Sequence, residues 1–408
     1  MDAAKLLFVF LLIVIALRKK LSVGITLFGA GLVTAVLYQV GFNDLTNGYW
    51  ELLQSRKFIS LTSVVLLITF LGSLLKELKY LDRLSAACQG LYGGNRTAVA
   101  LLPPLVGLMP MPGGSLLSAP LVNNVLTDKG YKPEFRTATN YWMRHVVEFF
   151  WPVYPGIILT EAMTGMPILS VSLMQASVGG VTLLIGLSLF IRKIDVGNNN
   201  NGNHLMQAIT GILGSVWPIV VAILIYGVLR IELAFAVLIT LAILIVVAKP
   251  TWPALRVSLK KGLSYKLVML IFGTLSFQTV LELAGAIESI PAMAATFSLP
   301  DEIVIFLVCF TVGILTGMVA AYIALGYAIL AGFLFTPVYN PGYILIAYSA
   351  GFMGVMLSPS HLCLILTNDY FGSDLGKVYR KIIPAVILVG IGCLAVYLTG
   401  FADLFLPG

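Results

Sequence analysis

The segment at 103–124, Pro-Pro-Leu-Val-Gly-Leu-Met-Pro-Met-Pro-Gly-Gly-Ser-Leu-Leu-Ser-Ala-Pro-Leu-Val-Asn-Asn, constrains this chain more than any other. It is apolar enough to enter a bilayer, yet Pro103, Pro104, Pro110, Pro112 and Pro120 stand in it with Gly113 and Gly114, so no unbroken helix passes through. A break in hydrocarbon leaves N–H and C=O groups without partners, which is tolerated only where protein or water surrounds them. The segment therefore predicts a re-entrant hairpin with its tip at 109–115. Small and hydroxylated residues beside exposed helix-end amides suit a substrate or ion site near the bilayer midplane. The alternative is a proline-kinked packing helix, and a second copy of the pattern argues against it.

Val106-Gly107 reappears as Val312-Gly313, 206 residues on, just before Thr316-Gly317. Trp151-Pro-Val-Tyr-Pro-Gly-Ile-Ile-Leu-Thr160 aligns with Ser358-Pro-Ser-His-Leu-Cys-Leu-Ile-Leu-Thr367 at a spacing of 207, placing Pro152 on Pro359 and Thr160 on Thr367. Each half thus holds a hairpin-like break followed by a helix broken at a proline. Interrupted segments at corresponding places in two halves are the sequence sign of a transporter site.

Apolar runs fall near 3–17, 21–41, 58–75, 97–126, 134–163 and 168–191, then near 207–229, 231–248, 265–285, 302–331, 342–368 and 382–400. With 59% hydrophobic and 11% charged residues, against about 25% charged in soluble domains, the chain is a polytopic membrane protein. The first repeat covers 1–192, with its hairpin at 97–126 and broken helix at 134–163. An Asn-rich cytoplasmic linker at 193–206 leads to the second repeat at 207–408, with hairpin 302–331 and broken helix 342–368. If each fourth run is a hairpin, each half has about five spans, and an odd number inverts the second copy. The positive-inside rule agrees: basic residues collect at 18–20, 76–96, 129–136, 192–193, 249–266 and 377–381, whereas the connections on the opposite side, at 42–57, 163–168, 230, 286–300 and 332–341, hold only Arg56, Lys57 and Arg230. Both termini then face outward. The expected fold is all-α, with two inverted-topology repeats.

The net charge of +7 belongs to these loops, so no nucleic-acid partner is expected. Cys88, Cys309, Cys363 and Cys393 are single, with no Cys-x-x-Cys or paired His spacing, and indicate neither a disulfide framework nor a metal site. No catalytic or nucleotide-binding motif occurs, so neither an enzyme nor an organic cofactor is expected, and transport would be secondary.

Arg144 and Glu148 are four apart on one helix face pointing towards the break at 151–155. A charge at a membrane helix centre costs about 2.5–3.5 kcal/mol even on insertion scales, so such residues line a pathway or pair internally. Arg144 serves either an anionic substrate or a gating pair, with His145 or Glu148 coupling protons, or else the pair locks the helix to its neighbours. The substrate-binding candidates are Pro112, Gly113, Gly114 and Ser115 at the first tip, Thr316 and Gly317 at the second, and Ser358, Pro359, Ser360 and His361 at the second break. Asn123 and Asn124 either donate amides to a carboxylate or cap a helix. The coupling or gating candidates are Arg144, His145, Glu148, Tyr154, Thr160, Thr367 and Asn368, while Asp369 reads as an interfacial cap and Glu282 as solvated. The scarcity of acids at the breaks allows Na⁺ held by carbonyls and hydroxyls; His145, Glu148 and His361 allow H⁺.

Two inverted halves of this kind resemble the ion-transporter superfamily of secondary carriers, which includes gluconate, citrate, lactate and C4-dicarboxylate permeases. Met109-Pro-Met-Pro-Gly-Gly-Ser115, Arg144-His145-Val-Val-Glu148 and Ser358-Pro-Ser-His-Leu-Cys-Leu-Ile-Leu-Thr367 are similar to those of an uncharacterised prokaryotic membrane family placed in that superfamily. The resemblance implies a dimerising scaffold domain in the cytoplasmic membrane. It also implies an elevator-like transport domain carrying the hairpins, and organic anions driven by Na⁺ or H⁺. Where the dicarboxylate carriers have Ser-Asn-Thr at a hairpin tip, this chain has Gly113-Gly114-Ser115 and Thr316-Gly317. A passive channel and a flippase for lipid-linked substrates are the rival readings.

Overall fold

Proline and glycine decide where the helices stop. A computed structural model describes residues 2–19, 21–89, 94–108, 114–196, 205–286, 298–335 and 337–407, and among these every regular element is helical. The first half contains α1 (Asp2–Arg18), α2 (Val23–Leu37), α3 (Phe42–Gln54), α4 (Arg56–Glu77), α5 (Tyr80–Gln89), α6 (Gly94–Gly107), α7 (Ser115–Leu126), α8 (Pro133–His145), α9 (Pro155–Thr164) and α10 (Ile168–Leu189). The second contains α11 (Leu205–Leu229), α12 (Leu233–Ala248), α13 (Trp252–Gly262), α14 (Tyr265–Leu283), α15 (Asp301–Thr316), α16 (Val319–Tyr322), α17 (Ala331–Leu334), α18 (Pro341–Leu357), α19 (Leu362–Phe371) and α20 (Leu375–Leu398).

Among the described residues, six stretches are long and apolar enough to cross a membrane: Arg56–Glu77, Ile168–Lys193, Met206–Leu229, Trp252–Leu283, Pro341–Phe371 and Leu375–Leu398. The chain is an integral membrane protein. The most apolar part of Pro341–Phe371 is mostly buried and lies in the middle of the molecule, whereas the corresponding parts of Met206–Leu229 and Leu375–Leu398 are mostly unburied and keep apolar faces for their surroundings.

The segments at 97–126 and 302–331 each hold helical arms that pack on each other. In the first, α6 packs along α7, with the tip at 109–113 outside the described residues. In the second, α15 turns at Gly317, whose φ of +63° suits glycine, and returns through α16. The returning arm is not one regular helix, since α16 runs into a wide π turn at Ile323–Tyr327 before α17. Both broken helices are interrupted where their prolines and polar residues stand. Helix α8 tightens into a 3-10 turn at Val146–Phe149 before α9 starts at Pro155, and α18 stops at Leu357 before α19 starts at Leu362. The ten-residue α9 and α19 begin 207 residues apart and end alike, on left-handed Gly165 (φ +76°) and Gly372 (φ +60°).

Close helix crossings rest on glycine. A Cβ on Gly24 of α2 would come within 2.1 Å of the Met269 carbonyl oxygen of α14, and one on Gly273 within 2.0 Å of the Gly24 carbonyl oxygen. Gly313 of α15 and Gly354 of α18 similarly face backbone oxygens at 2.2 Å from a would-be Cβ, those of Gly351 and Phe310. Small residues at such contacts let membrane helices approach where no hydrophobic force drives them together.

The segments at 42–57, 76–96 and 249–266, expected only as connections, contain α3, α5 and α13. Their polar content hid them from a search for apolar runs, because each presents one apolar stripe only. In α3 only Leu52 is buried, while Phe42 and Trp50 are 78% and 64% exposed, the pattern of a helix lying along an interface. Most of the expected linker, at 197–204, lies outside the described residues; before it, Arg96 pins the end of α10 through Nε to the Ile194 carbonyl at 2.9 Å.

Candidate functional site

The two hairpins and the two helix breaks meet. Ser115, the first residue of α7 and fully buried, donates its hydroxyl to the carbonyl of Cys363, the second residue of α19, at 3.0 Å. Asn140 of α8 reaches the same turn, its Nδ2 donating to the Ser115 carbonyl at 3.0 Å. The N-terminal ends of α7 and α19 therefore lie against each other, directing two sets of free amides and two positive dipole ends to one region.

The second hairpin tip seats on the second break. A Cβ on Gly317 would come within 2.8 Å of Ser358 Oγ and the His361 nitrogen and 2.7 Å of Ser360 Oγ, so only glycine fits. The Gly317 carbonyl lies 2.8 Å from His361 Nδ1, and the Ser358 and Ser360 hydroxyls are bonded to each other at 2.9 Å. Pro359 and Ser360 are exposed, while Ser358 and His361 are buried.

The first break is held by its own hairpin and by α18. The Tyr154 hydroxyl donates to the Gly107 carbonyl, and a Cβ on Gly107 would come within 2.6 Å of the Arg144 carbonyl oxygen. The Tyr348 hydroxyl of α18 donates to the Glu148 carbonyl at 3.1 Å, and Tyr141 of α8 donates to the Met356 carbonyl at the same distance. These tyrosines, 207 residues apart, each brace the other half's break.

Arg144 and Glu148 form the expected ion pair, with side chains 1% and 10% exposed, and the guanidinium lies 5.9 Å from the Tyr154 ring centre. Beside the pair, His145 Nε2 is 3.1 Å from His361 Nε2, while His145 Nδ1 faces the Tyr141 carbonyl at 2.6 Å. Cys363 Sγ completes a cluster in which the three ligand-type atoms lie within 4.8 Å of one another.

The structure thus brings together Gly114 and Ser115, Arg144, His145, Glu148 and Tyr154, Gly317, Ser358 and His361, with Ser360 and Pro359 at the rim. Pro112 and Gly113 lie outside the described residues. Thr316 turns its hydroxyl back to the Val312 carbonyl at 2.8 Å. Thr160 and Thr367 do the same to Gly156 and Cys363, at 2.9 and 2.7 Å. Asn368 accepts from Ser373 at 2.7 Å, towards the far end of α19. Asn123 and Asn124 stand more than two turns beyond Ser115, about 12 Å along α7, where Oδ1 of the Asn123 side chain accepts from Arg136 at 2.5 Å and Thr127 at 2.8 Å. Asp369 and Glu282 are exposed. A cleft of about 470 Å³ bordered by Glu51, Lys57, Gln278 and Glu282 lies between α3 and α14 and shares no residue with this cluster.

Sequence reasoning passed over Gly107, Asn140, Tyr141, Tyr348 and Cys363 as site residues. The tyrosines carried a readable signal, their 207-residue spacing. Asn140 and Cys363 carried none, because nothing in a linear sequence shows that α8 and α19 touch.

The fold, all-helical among the described residues with two packed pairs of helical arms and two interrupted helices, is shared with a solved membrane transporter. The chain belongs to the family described as "Protein of unknown function (DUF401)", whose model matches residues 2–399. Its structure is similar to that of the Alcanivorax borkumensis YdaH transporter, described as having an unusual topology. The TM-score is 0.61 at 12% identity, over 90% of this chain and 89% of that one. No functionally curated protein matches the chain.

Proposed function

We propose that this protein is a secondary active transporter of a small anionic solute, an organic carboxylate, coupled to Na⁺ or H⁺. The observation that carries the reading is the contact between Ser115 and Cys363, which sets the N-terminal ends of α7 and α19 together in a buried centre. Converging helix N-termini supply amide donors and positive potential without a mobile counter-ion, the arrangement that holds carboxylates in broken-helix carriers. The carboxylate lies between Gly114 and Ser115 on one side and the tip at 315–318 on the other, near the hydroxyls of Ser115 and Ser358, with Arg144 adding positive charge. The likeness in fold to the YdaH transporter supports transport as the activity.

The halves 1–192 and 207–408 are inverted repeats, a reading supported by the equal spacing of α9 from α19 and of α10 from α20. The hairpins and broken helices move as one unit against a scaffold in which α2 packs on α14 and α4 on α12. The scaffold pairs two protomers in a prokaryotic cytoplasmic membrane, with both termini outside.

Proteoliposomes loaded with unlabelled organic acid test this directly. Saturable uptake of a labelled carboxylate, stimulated by a Na⁺ or pH gradient and by counterflow, is expected, and Ser115→Ala with Ser358→Ala lowers it. Non-saturating flux without counterflow would replace the carrier with a channel. Movement of a lipid-linked probe in place of any soluble anion would make the protein a flippase.

A further inference from the structure

The hydrogen bonds around His145 and His361 leave an unbalanced contact between them. His145 Nδ1 lies 2.6 Å from the Tyr141 carbonyl oxygen, and His361 Nδ1 lies 2.8 Å from that of Gly317. A carbonyl only accepts, so each Nδ1 carries its proton and donates. In the neutral rings both Nε2 atoms are then lone-pair acceptors, yet they face each other at 3.1 Å in a buried place. Two such lone pairs repel unless a cation lies between them. The Cys363 sulfur joins them, all three atoms lying within 4.8 Å of one another.

We propose that His145, His361 and Cys363 form a three-donor site for a borderline-soft d10 cation of the Zn²⁺ class, beyond the carboxylate reading and independent of it. Imidazole and thiolate are the donors such ions prefer. An ion about 2.0–2.1 Å from each nitrogen in tetrahedral geometry sets them about 3.3 Å apart, close to the 3.1 Å present. The sulfur–nitrogen edge in that geometry is about 3.6 Å, within the 4.8 Å that spans the cluster. The two carbonyls that take the Nδ1 protons orient the rings and fix their tautomers, the support that metal-binding histidines ordinarily have. The exposed Pro359 and Ser360 border the approach to His361. Three protein donors leave a fourth position open. Because His145 ends α8 while His361 and Cys363 begin α19, with the second hairpin tip bonded to His361, a bound ion ties the two halves together.

Full-length protein in detergent is titrated with Co²⁺ as the optical probe and then with Zn²⁺ as competitor. One equivalent of Co²⁺ is expected to give intense tetrahedral d–d bands with a thiolate-to-cobalt charge-transfer band, and Zn²⁺ is expected to abolish both. Cys363→Ser removes the charge-transfer band. His361→Gln weakens Zn²⁺ binding by more than about a hundredfold, since even outer partners of a metal ligand are worth about 10–100-fold. Cys309→Ala and Cys393→Ala leave the spectra unchanged. Metal-free melting curves of Cys363→Ser and His361→Gln establish that both variants fold. Binding that survives in a folded Cys363→Ser/His361→Gln double variant overturns the proposal. So does the absence of one-equivalent binding in the wild type, which would leave a shared proton between the rings. Carboxylate uptake is a separate measurement, so either reading fails without the other.

Discussion

The Ser115 hydroxyl donates to the Cys363 carbonyl across 3.0 Å, and that carbonyl also receives Thr367 Oγ1 at 2.7 Å. Losing one donor leaves the other in place, so Ser115→Ala and Thr367→Val are each expected to destabilise by about 1 kcal/mol. The double variant is expected to exceed their sum by about 0.5 kcal/mol or more, as for groups sharing a partner. Thermal melts of the four proteins in one detergent read this coupling; strict additivity would mean that the shared carbonyl is satisfied without its side-chain donors.

Gly351 and Gly313 are predicted to fail differently when enlarged. A Cβ on Gly351 meets the Tyr322 ring at 2.2 Å, whereas one on Gly313 meets the Gly351 carbonyl oxygen at 2.2 Å. Gly351→Ala is expected to cost about 1–3 kcal/mol through overpacking. Tyr322→Leu should restore part of it, because the obstacle is a side chain. No side-chain change should rescue Gly313→Ala, whose obstacle is backbone. Equal rescue of both by Tyr322→Leu would contradict the crossing.

Much of this fold was legible because proline and glycine act locally. The interruptions around Pro152 and Pro359, and a turn at Gly317, follow from backbone rules that need no partner. The amphipathic α3 escaped because Phe42 and Trp50 are too sparse to form an apolar run. The pairing of Arg144 with Glu148 was legible from helical spacing, since a separation of four fixes a shared face. The approach of His145 to His361 and Cys363 was not, for a separation of 216 or 218 residues carries no geometry until α8 and α19 have packed. The same limit explains Asn123, whose amide suits a carboxylate in isolation but whose oxygen is held by Arg136 in the structure.

Outside the spans, Glu232 precedes α12 and accepts from Arg56 Nε at 2.8 Å and from Ser60 at 3.1 Å. The hydrogen bond from Arg56 is the main reason its carboxyl is held below the ordinary range, with Ser60 adding to it. A lowered folded pKa stabilises fully above the unfolded value of about 4.3, and the contribution disappears as pH falls through the folded value. Wild type is therefore expected to melt slightly above Glu232→Gln at pH 7, with the gap closing below about pH 4. Because Arg56 is 87% exposed, high salt should narrow the gap at neutral pH as well. A gap that widened on acidification would reverse the assignment.

The Arg144–Glu148 pair separates a structural from a transporting role for buried charge. Both side chains are almost fully enclosed, so Arg144→Leu strands a carboxylate and is expected to destabilise by about 3–5 kcal/mol. Glu148→Leu strands the guanidinium with a loss of the same order. Removing both charges takes away the desolvation cost together with the attraction, and the Arg144→Leu/Glu148→Leu double variant should recover most of the lost stability. If Arg144 also faces the anion, this refolded double variant should still take up carboxylate far more slowly than wild type, with the apparent KM raised. Restored stability with restored uptake would confine the pair to holding α8 in place. The helix ends at Ser115 and Cys363 would then be left as the anion's principal partners.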